Sequence, residues 1–219
     1  MEYISKKDET KKQARVDFEN KLLPKVREYL NKNFGKKKWT FNIFIVGSAK
    51  RNLILLGNEG FDIDYQLKFF KIPKEYLNDA KKTKNKLREY FDKANDELGL
   101  GLTYCEDSTH VLTMKKLDGD KIIYSYDIAI LRLNNNEDYI ILKNEKQGKD
   151  DDYHYVELSD CESFNEKYKK VKTPKAWDLL RKKYKAKKEE FQNTNKDERP
   201  ASFSLLGQTV NEVIQELRL

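Results

Sequence analysis

Strict alternation of apolar and polar residues over 61–70 (FDIDYQLKFF) limits what this chain can fold into more than any other feature. Successive side chains of a β-strand point to opposite faces, so a period of two predicts a strand with one buried and one polar face. The apolar positions are Phe61, Ile63, Tyr65, Leu67 and Phe69. Asp62 and Asp64 therefore lie on the same face, a few ångströms apart.

The two aspartates on the polar face have two interpretations. Like charges this close repel one another, and a bound divalent cation is the usual remedy. Alternatively, the strand is half solvated and its polar face happens to carry acids, because Gln66 and Lys68 share that face. The strand pattern alone leaves both interpretations open.

Gly47 and Ser48 follow an apolar run at 39–46 (WTFNIFIV), which predicts a short buried strand. A short helix at 49–56 and a glycine-containing turn are expected next. A glycine at a strand-to-helix junction lets the backbone approach a ligand closely, and free N–H groups at a helix start favour an anion. Many such junctions carry Gly-Ser for geometry alone, so this signal is weak by itself.

Asp127 lies inside 121–133 (KIIYSYDIAILRL), a strand that is apolar on nearly all sides. A buried unpaired polar group costs on the order of 2–7 kcal/mol, and a charge costs more, so Asp127 needs a partner. A lysine or a cap would serve structurally. A metal ion shared with Asp62 and Asp64 would account for all three acids together.

The remaining periodicity predicts an α+β fold: a mixed β-sheet core with a long N-terminal helix and a C-terminal helical lobe. We assign the core to residues 1–158 and the lobe to 159–219. Helices are expected at 8–34, 73–98, 160–170, 174–192 and 203–218. Further strands are expected at 109–117, 121–133, 138–143 and 153–158, the first two joined by the turn 118–120.

The chain resembles the polymerase-β-like nucleotidyltransferase superfamily in the order, spacing and context of two segments, GSAKRNLILLGNEGFDIDYQL and the later YSYDIAIL. That pattern is Gly-Ser, a short helix and turn, Asp-x-Asp on a strand, and a third acid on a later strand. The matched region covers residues 39–133. The flanking helices are similar in layout to cyclic-oligonucleotide synthases and oligoadenylate synthases, enzymes of antiviral signalling. Protein-modifying antitoxin-type and transfer-RNA-modifying members of the superfamily are the other relatives considered.

The resemblance implies a nucleotidyltransferase that uses ATP or another NTP with two Mg²⁺ ions, or with Mn²⁺. Asp62, Asp64 and Asp127 would bind the metal ions and carry catalysis. The nucleotide phosphates would contact Gly47 and Ser48, with Lys50 and Arg51 close enough in sequence to help. The acceptor would be a nucleotide, an RNA or a protein.

Several further residues are weaker candidates. Ser108 and His110 lie near a strand that can face the site in relatives, although a lone histidine on a strand is usually structural. Lobe aromatics, at Tyr168, Trp177 and Tyr184, are expected to form its core, and one of them could stack on a base. Lys172 and Arg181–Lys183 could contact phosphate, but a solvated face is the more common role for such residues.

Charge distribution suggests a second hypothesis, namely a nucleic-acid-binding or toxin-regulating module on the same fold. Residues 1–38 carry 12 basic and 6 acidic side chains and residues 161–199 carry 13 and 7, whereas the net charge of the 219-residue chain is only +7. Two basic arms therefore flank an acidic centre and could attract polyanions. No apolar run is long enough for a bilayer, no secretory leader is apparent, and two cysteines make no disulfide framework. A cytoplasmic protein is expected.

Overall fold

The structure is a computed structural model that describes residues 1–5, 7–57, 60–147, 150–158, 162–191 and 200–219. Its α-helices are α1 (Glu9–Val16), α2 (Leu23–Phe34), α3 (Gly47–Arg51), α4 (Lys74–Leu77), α5 (Ala80–Leu98), α6 (Glu162–Lys170), α7 (Pro174–Glu190) and α8 (Ser202–Leu217). Its strands are β1 (Glu2–Tyr3), β2 (Thr40–Ile45), β3 (Leu55–Leu56), β4 (Phe61–Lys71), β5 (Glu106–Asp107), β6 (Val111–Asp118), β7 (Lys121–Leu133), β8 (Tyr139–Gln147) and β9 (Asp150–Glu157).

Seven of these strands form one mixed sheet, in the order β2-β4-β7-β6-β5, with β8 pairing the end of β7 and β9 pairing β8. Strands β4 and β7 run parallel, and every other pairing in this sheet is antiparallel. The parallel pair at the centre places the strand of Asp62 and Asp64 directly beside the strand of Asp127.

The apolar face of the sheet packs against α5 and against the helical segment that contains Phe18, just after α1. Phe18 is fully buried, and its ring stacks on Tyr65 of β4 with centroids 4.0 Å apart. It also contacts Tyr126 of β7 at 4.9 Å and Phe91 of α5 at 6.0 Å. Aromatic pairs in such arrangements stabilise a core beyond their area of burial. Because this face of β4 is filled by the core, its polar residues are directed to the opposite face.

The chain divides into two compact units, one formed by Ile4–Ile54 and Asn58–Leu158 and the other by Met1–Tyr3, Leu55–Gly57 and Ser159–Leu219. The sheet described above belongs to the first unit. In the second unit, α8 packs against α6 and α7. There β1 pairs with β3, and the Tyr3 hydroxyl donates a hydrogen bond of 2.6 Å to the Arg181 carbonyl.

The predicted α+β fold is confirmed, with local corrections. The helix expected at 49–56 ends at Arg51, because Asn52 adopts a left-handed conformation and Leu55–Leu56 pairs as a strand. The helix expected at 8–34 contains a π-helical segment at Asp17–Leu22, after which Pro24 occupies the first turn of α2. The expected helix at 73–98 is interrupted before Ala80, where the Asp79 carboxylate accepts a hydrogen bond from the Lys82 backbone N–H at 2.8 Å.

One of the two cysteines, Cys161, and residues 192–199, which include the last residue of the helix expected at 174–192, lie outside the described residues. Among the helices that the structure describes, none combines the length and the apolar character that crossing a bilayer requires.

Candidate active site

Three predicted aspartates lie on one face of the central parallel pair. Asp64 is the register partner of Asp127, and Asp62 is the register partner of Ser125 two residues earlier. Neighbouring strands are about 4.8 Å apart and residues two apart on a strand share a face. The three carboxylates therefore share one patch of the sheet, on the side opposite Phe18 and its aromatic neighbours.

Asp62 is the exposed member of the patch. Its Oδ1 atom accepts a short hydrogen bond from the hydroxyl of Ser125. Ser125 itself is buried, so it holds the Asp62 carboxylate against the sheet. Ser125 was not predicted from the sequence, although its place two residues before Asp127 puts it on the same face.

Asp127 is half buried and is held by Thr113 of the neighbouring strand, whose hydroxyl donates a hydrogen bond of 2.7 Å to its Oδ1 atom. The register places Thr113 directly opposite Asp127. A β-bulge between Lys116 and Leu117 shifts this register by one residue. Without the bulge, counting back from the turn would place Tyr126 opposite Thr113. Thr113 was consequently not identified from the sequence.

Asp64 lies against the Gly47–Ser48 junction. The Val46 N–H donates to the Asp64 carbonyl at 2.9 Å, and the Ser48 backbone makes a hydrogen bond to the Asp64 carboxylate. Gly47 has a positive φ of 60°, and a Cβ atom built on it would lie 1.8 Å from Asp64 Oδ2. The Gly-Ser junction thus touches the central acid directly, because only glycine leaves room for the carboxylate.

Burial and like charge both disfavour ionisation at this patch. Burial, followed by the charges of Asp127 and Asp62, raises the pKa of Asp64 to about 6. Burial also raises the pKa of Asp127, and the charge of Asp62 adds to this, whereas the hydrogen bond from Thr113 opposes it. The patch therefore has a surplus of negative charge that its neighbours do not neutralise.

The chemistry of the donors suits a divalent cation. All three side chains offer carboxylate oxygens, the ligands that Mg²⁺ prefers, and a cation would relieve the repulsion that raises the pKa of Asp64. As the side chains stand, no three acidic, histidine or cysteine side chains within the described ranges are spaced to hold a metal ion. Asp62 and Asp127 are instead held by Ser125 and Thr113.

Positive charge lies at the edge of the patch. Arg51 donates a hydrogen bond of 3.1 Å to the Gly47 carbonyl, and its charge lowers the pKa of Asp64 against the effect of burial. Lys50, the next predicted contact, is exposed. Lys115 was not predicted from the sequence. Its charge lowers the pKa of Asp127, while its Nζ atom pairs with Glu106 at 2.6 Å.

Ser108 and His110 belong to different surroundings. The Ser108 hydroxyl donates to the Val111 carbonyl at 3.2 Å, and the Ser108 carbonyl accepts from Lys84 Nζ at 2.6 Å. His110 is exposed, and burial with the charges of Lys143 and Lys84 lowers its pKa. Neither side chain has a hydrogen bond to the three aspartates in the described residues.

A buried ion pair lies beside Ser108. Lys84 is 1% exposed and Asp107 is 10% exposed, with their charged atoms 2.5 Å apart. The Tyr153 hydroxyl donates to the other Asp107 oxygen at 2.6 Å. This network joins α5 to β5 and β9, and no residue of it was predicted from the sequence.

The weaker candidates in the C-terminal lobe pack against other residues of the lobe or of its unit. Tyr168 and Tyr184 are buried, and Tyr168 contacts the Trp177 ring edge-on at 6.2 Å. Lys172 lies 5.6 Å from the Tyr168 ring centroid, and Arg181 lies 4.1 Å from the Tyr3 ring centroid. These positions match the expectation that the lobe aromatics form a core.

Comparison with solved structures identifies a shared fold. The structure of Vibrio cholerae DncV in its 3'-deoxy ATP bound form superposes with a TM-score of 0.56 at 17% identity, covering 96% of this chain and 53% of that chain. DncV cyclic AMP-GMP synthase in complex with nonhydrolyzable GTP gives a TM-score of 0.55 at 16% identity over 85% of this chain and 48% of that chain.

A third DncV structure, in complex with the linear intermediate 5' pppA(3',5')pG, gives a TM-score of 0.56 at 14% identity, covering 95% of this chain and 59% of that chain. The chain thus spans about half the length of these DncV chains. No protein-family model and no curated protein matches the sequence. The predicted resemblance to polymerase-β-like nucleotidyltransferases is confirmed at the level of the fold.

Proposed function

We propose that this protein is a Mg²⁺-dependent nucleotidyltransferase that transfers a nucleoside monophosphate from ATP or another NTP to a hydroxyl group. One observation carries this proposal: Asp64 and Asp127 are register partners on parallel strands, with Asp62 on the same face. The fold shared with DncV supports it, since DncV structures contain nucleotides.

In the proposed reaction, the acceptor hydroxyl attacks the α-phosphorus of the NTP. A new P–O bond forms, the bond between the α-phosphorus and the bridging oxygen breaks, and pyrophosphate leaves with that electron pair. The hydroxyl proton passes to the Asp127 carboxylate. Asp127 would then act as a general base, held in place by the hydrogen bond from Thr113.

Asp62, Asp64 and Asp127 would hold the two Mg²⁺ ions. Bound at these carboxylates, Mg²⁺ would neutralise charge on the triphosphate and acidify the acceptor hydroxyl. Ser125 and Thr113 orient Asp62 and Asp127 through their hydroxyl groups. Such supporting hydrogen bonds commonly decide how well a carboxylate site binds its cation.

The triphosphate would lie near the Gly47–Ser48 junction. Gly47 has no side chain to block the approach to Asp64, and the exposed Lys50 can place its ammonium group on a phosphate oxygen. Arg51 contributes a fixed positive charge beside the acids. These four residues are the predicted nucleotide contacts, and their role rests on this proposal.

A second nucleotide is the acceptor that we favour, so that the product is a nucleotide signal. The support is the DncV complex with the linear intermediate 5' pppA(3',5')pG, in which two nucleotides are joined. RNA and protein acceptors remain the alternatives from the sequence analysis.

The test is product formation from NTPs with Mg²⁺ or Mn²⁺, detected by liquid chromatography and mass spectrometry. The wild type should release pyrophosphate and form linked nucleotides. Asp62→Asn/Asp64→Asn should lower the rate at least about a thousandfold, because the metal ions supply several kcal/mol of transition-state stabilisation. Asp118→Asn/Asp120→Asn, in the exposed turn between β6 and β7, removes the same charge and should retain activity.

No product with any NTP mixture, or equal rates in the two double variants, would contradict the proposal. The alternative hypothesis, a nucleic-acid-binding or toxin-regulating module, makes a different prediction. RNA or DNA binding should then weaken steeply with salt and should not change in Asp62→Asn/Asp64→Asn. Labelling of a protein by radioactive ATP in a lysate would instead identify a protein acceptor.

A further inference from the structure

Two adjoining cavities lie at the β2 edge of the large sheet. The first has a volume of about 470 Å³ and is lined by lysines, by Phe70 and by the segment 71–77. The second has a volume of about 350 Å³ and is lined by residues of α2, of β2 and of the loop between them, including Arg27 of α2 and Trp39 of the loop. Lys36 and Lys37 line both cavities, so we treat the two together as the lysine groove. Such volumes are typical of small-ligand sites.

Positive charge dominates the lysine groove. Its five lysines are all exposed: Lys36, Lys37, Lys38, Lys71 and Lys74. None of them has an ion pair among the salt bridges between described residues, and no acidic residue lines either cavity. Elsewhere on this chain lysines commonly pair with acids, as Lys12 does with Glu9 and Lys86 with Glu89. The groove therefore concentrates positive charge that the protein itself does not neutralise.

Two residues that line the lysine groove, Trp39 and Lys37, have unusual features. The Trp39 side chain is 5% exposed and lines the second cavity, yet its indole Nε1 has no hydrogen-bond partner. A buried N–H group without a partner is uncommon, and this one belongs to a residue that lines the groove. Lys37 adopts a φ of 65° in the turn after α2, a left-handed conformation that is uncommon for residues other than glycine.

The lysine groove is distant from the three aspartates. Lys71 ends β4, and Asp64 lies seven residues earlier on the same strand, roughly 23 Å away at the rise of an extended chain. Strand β2 pairs with this part of β4, with Thr40 opposite Lys71. One NTP therefore cannot occupy both places, and the groove calls for a ligand of its own.

We propose that the lysine groove binds a linear chain of phosphoryl groups, either free or attached to a nucleoside. Three or more linked phosphates carry enough negative charge to contact several lysines at once. Phe70, which is 47% exposed, and the neighbouring apolar lining offer a wall for a base. The groove does not involve the aspartates, so this proposal stands independently of the proposed catalysis.

The test is isothermal titration of the full chain with sodium tripolyphosphate in EDTA, where a magnesium-dependent site cannot contribute. The wild type should bind, and so should Asp62→Asn/Asp64→Asn. Lys37→Glu/Lys71→Glu should bind at least about tenfold more weakly, because two charged hydrogen bonds are lost and two negative charges are added. Lys121→Glu/Lys175→Glu changes the same charge at exposed lysines outside the groove and should bind like the wild type.

Parallel titrations identify the source of the phosphates. ATP that binds more tightly than tripolyphosphate indicates a nucleotide, equal affinities indicate the phosphate chain alone, and adenosine should not bind. Thermal melts establish that both lysine variants are folded. Unchanged binding in Lys37→Glu/Lys71→Glu, an equal loss in Lys121→Glu/Lys175→Glu, or binding by duplex RNA with none by tripolyphosphate would overturn the proposal.

Discussion

Gly47 and Asp64 are in contact across the sheet edge: a Cβ atom on Gly47 would lie 1.8 Å from Asp64 Oδ2. Real Cβ atoms do not approach an oxygen so closely, so any other residue at 47 must displace the carboxylate. The same glycine has a φ of 60°, which disfavours other residues on its own. The position is thus constrained both by its backbone conformation and by its neighbour.

Gly47→Ala should strongly lower the proposed transfer activity, because the new methyl group displaces the Asp64 carboxylate from its place beside Asp127. We expect a rate at least about a hundredfold lower, the loss that small misplacements of catalytic groups cause. The measurement is the initial rate of pyrophosphate release at saturating NTP and Mg²⁺.

Gly119→Ala is the matched control for this substitution. Gly119 has a similar φ of 58° but nothing lies within 4 Å of a Cβ atom there. Both variants should lose about 1–2 kcal/mol of stability from backbone strain, whereas only Gly47→Ala should lose activity. Equal activity losses in the two variants would show that the contact with Asp64 is unimportant.

The stability of the metal-free protein should depend on the ionisation of Asp64. Its pKa is raised from 3.8 to about 6 in the folded state, so the folded protein binds the proton more tightly than the unfolded chain. Tighter proton binding at Asp64 therefore contributes about 3 kcal/mol to the free energy of unfolding. This contribution is fully present below about pH 4 and is lost as the pH rises through 6.

Asp64→Asn removes this dependence and should be more stable than the wild type at pH 7.5 in EDTA. Urea unfolding at pH 5 and pH 7.5 measures the effect, with the turn variant Asp118→Asn as a control for the loss of a carboxylate. A wild type whose stability rises over this range relative to Asp64→Asn would refute the argument.

Thr113→Val should alter the pH dependence of activity. The hydroxyl of Thr113 lowers the pKa of Asp127 through its hydrogen bond, so its removal raises that pKa further. The acidic limb of the rate profile should move to higher pH by up to about one unit, because one such bond contributes about 1.5 kcal/mol. The Ser108 hydroxyl donates to the Val111 carbonyl and not to Asp127. Ser108→Ala should therefore leave the pH profile unchanged.

Lys84→Met should strongly destabilise the protein, because it leaves Asp107 charged in a site where it is only 10% exposed. Breaking a buried ion pair costs about 3–5 kcal/mol. Lys115→Met breaks the neighbouring pair with Glu106, whose side chains are 26% and 56% exposed, and should cost less than about 1 kcal/mol. Urea unfolding of both variants compares them, and similar losses would contradict the assigned difference in burial.

Much of the site could be predicted because it depends on local periodicity. The alternation around Ile63 places Asp62 and Asp64 on the face opposite the core, and the turn at Gly119 predicts the β6–β7 hairpin. These features are set by neighbouring residues in the sequence. The same alternation patterns predict the fold class, an α+β fold with a mixed sheet.

The partners of the acids could not be predicted, because they depend on long-range register. Thr113 faces Asp127 only because of the bulge after Lys116, and a bulge leaves no periodic signal in the sequence. The pairing of Lys84 with Asp107 likewise requires α5 to pack beside β5, a tertiary arrangement that propensities do not encode.

The parallel pairing of β4 and β7 has a consequence for biosynthesis. Asp62 and Ser125, which touch in the folded protein, are separated by 63 positions in the chain. Closing so long a loop is slow compared with forming a hairpin or a helix turn. During synthesis, β4 with its Asp-x-Asp motif therefore leaves the ribosome well before β7, the strand that it pairs with. Until β7 has emerged, Asp62 and Asp64 have neither their neighbouring strand nor Ser125, so the three-aspartate patch cannot assemble on the growing polypeptide.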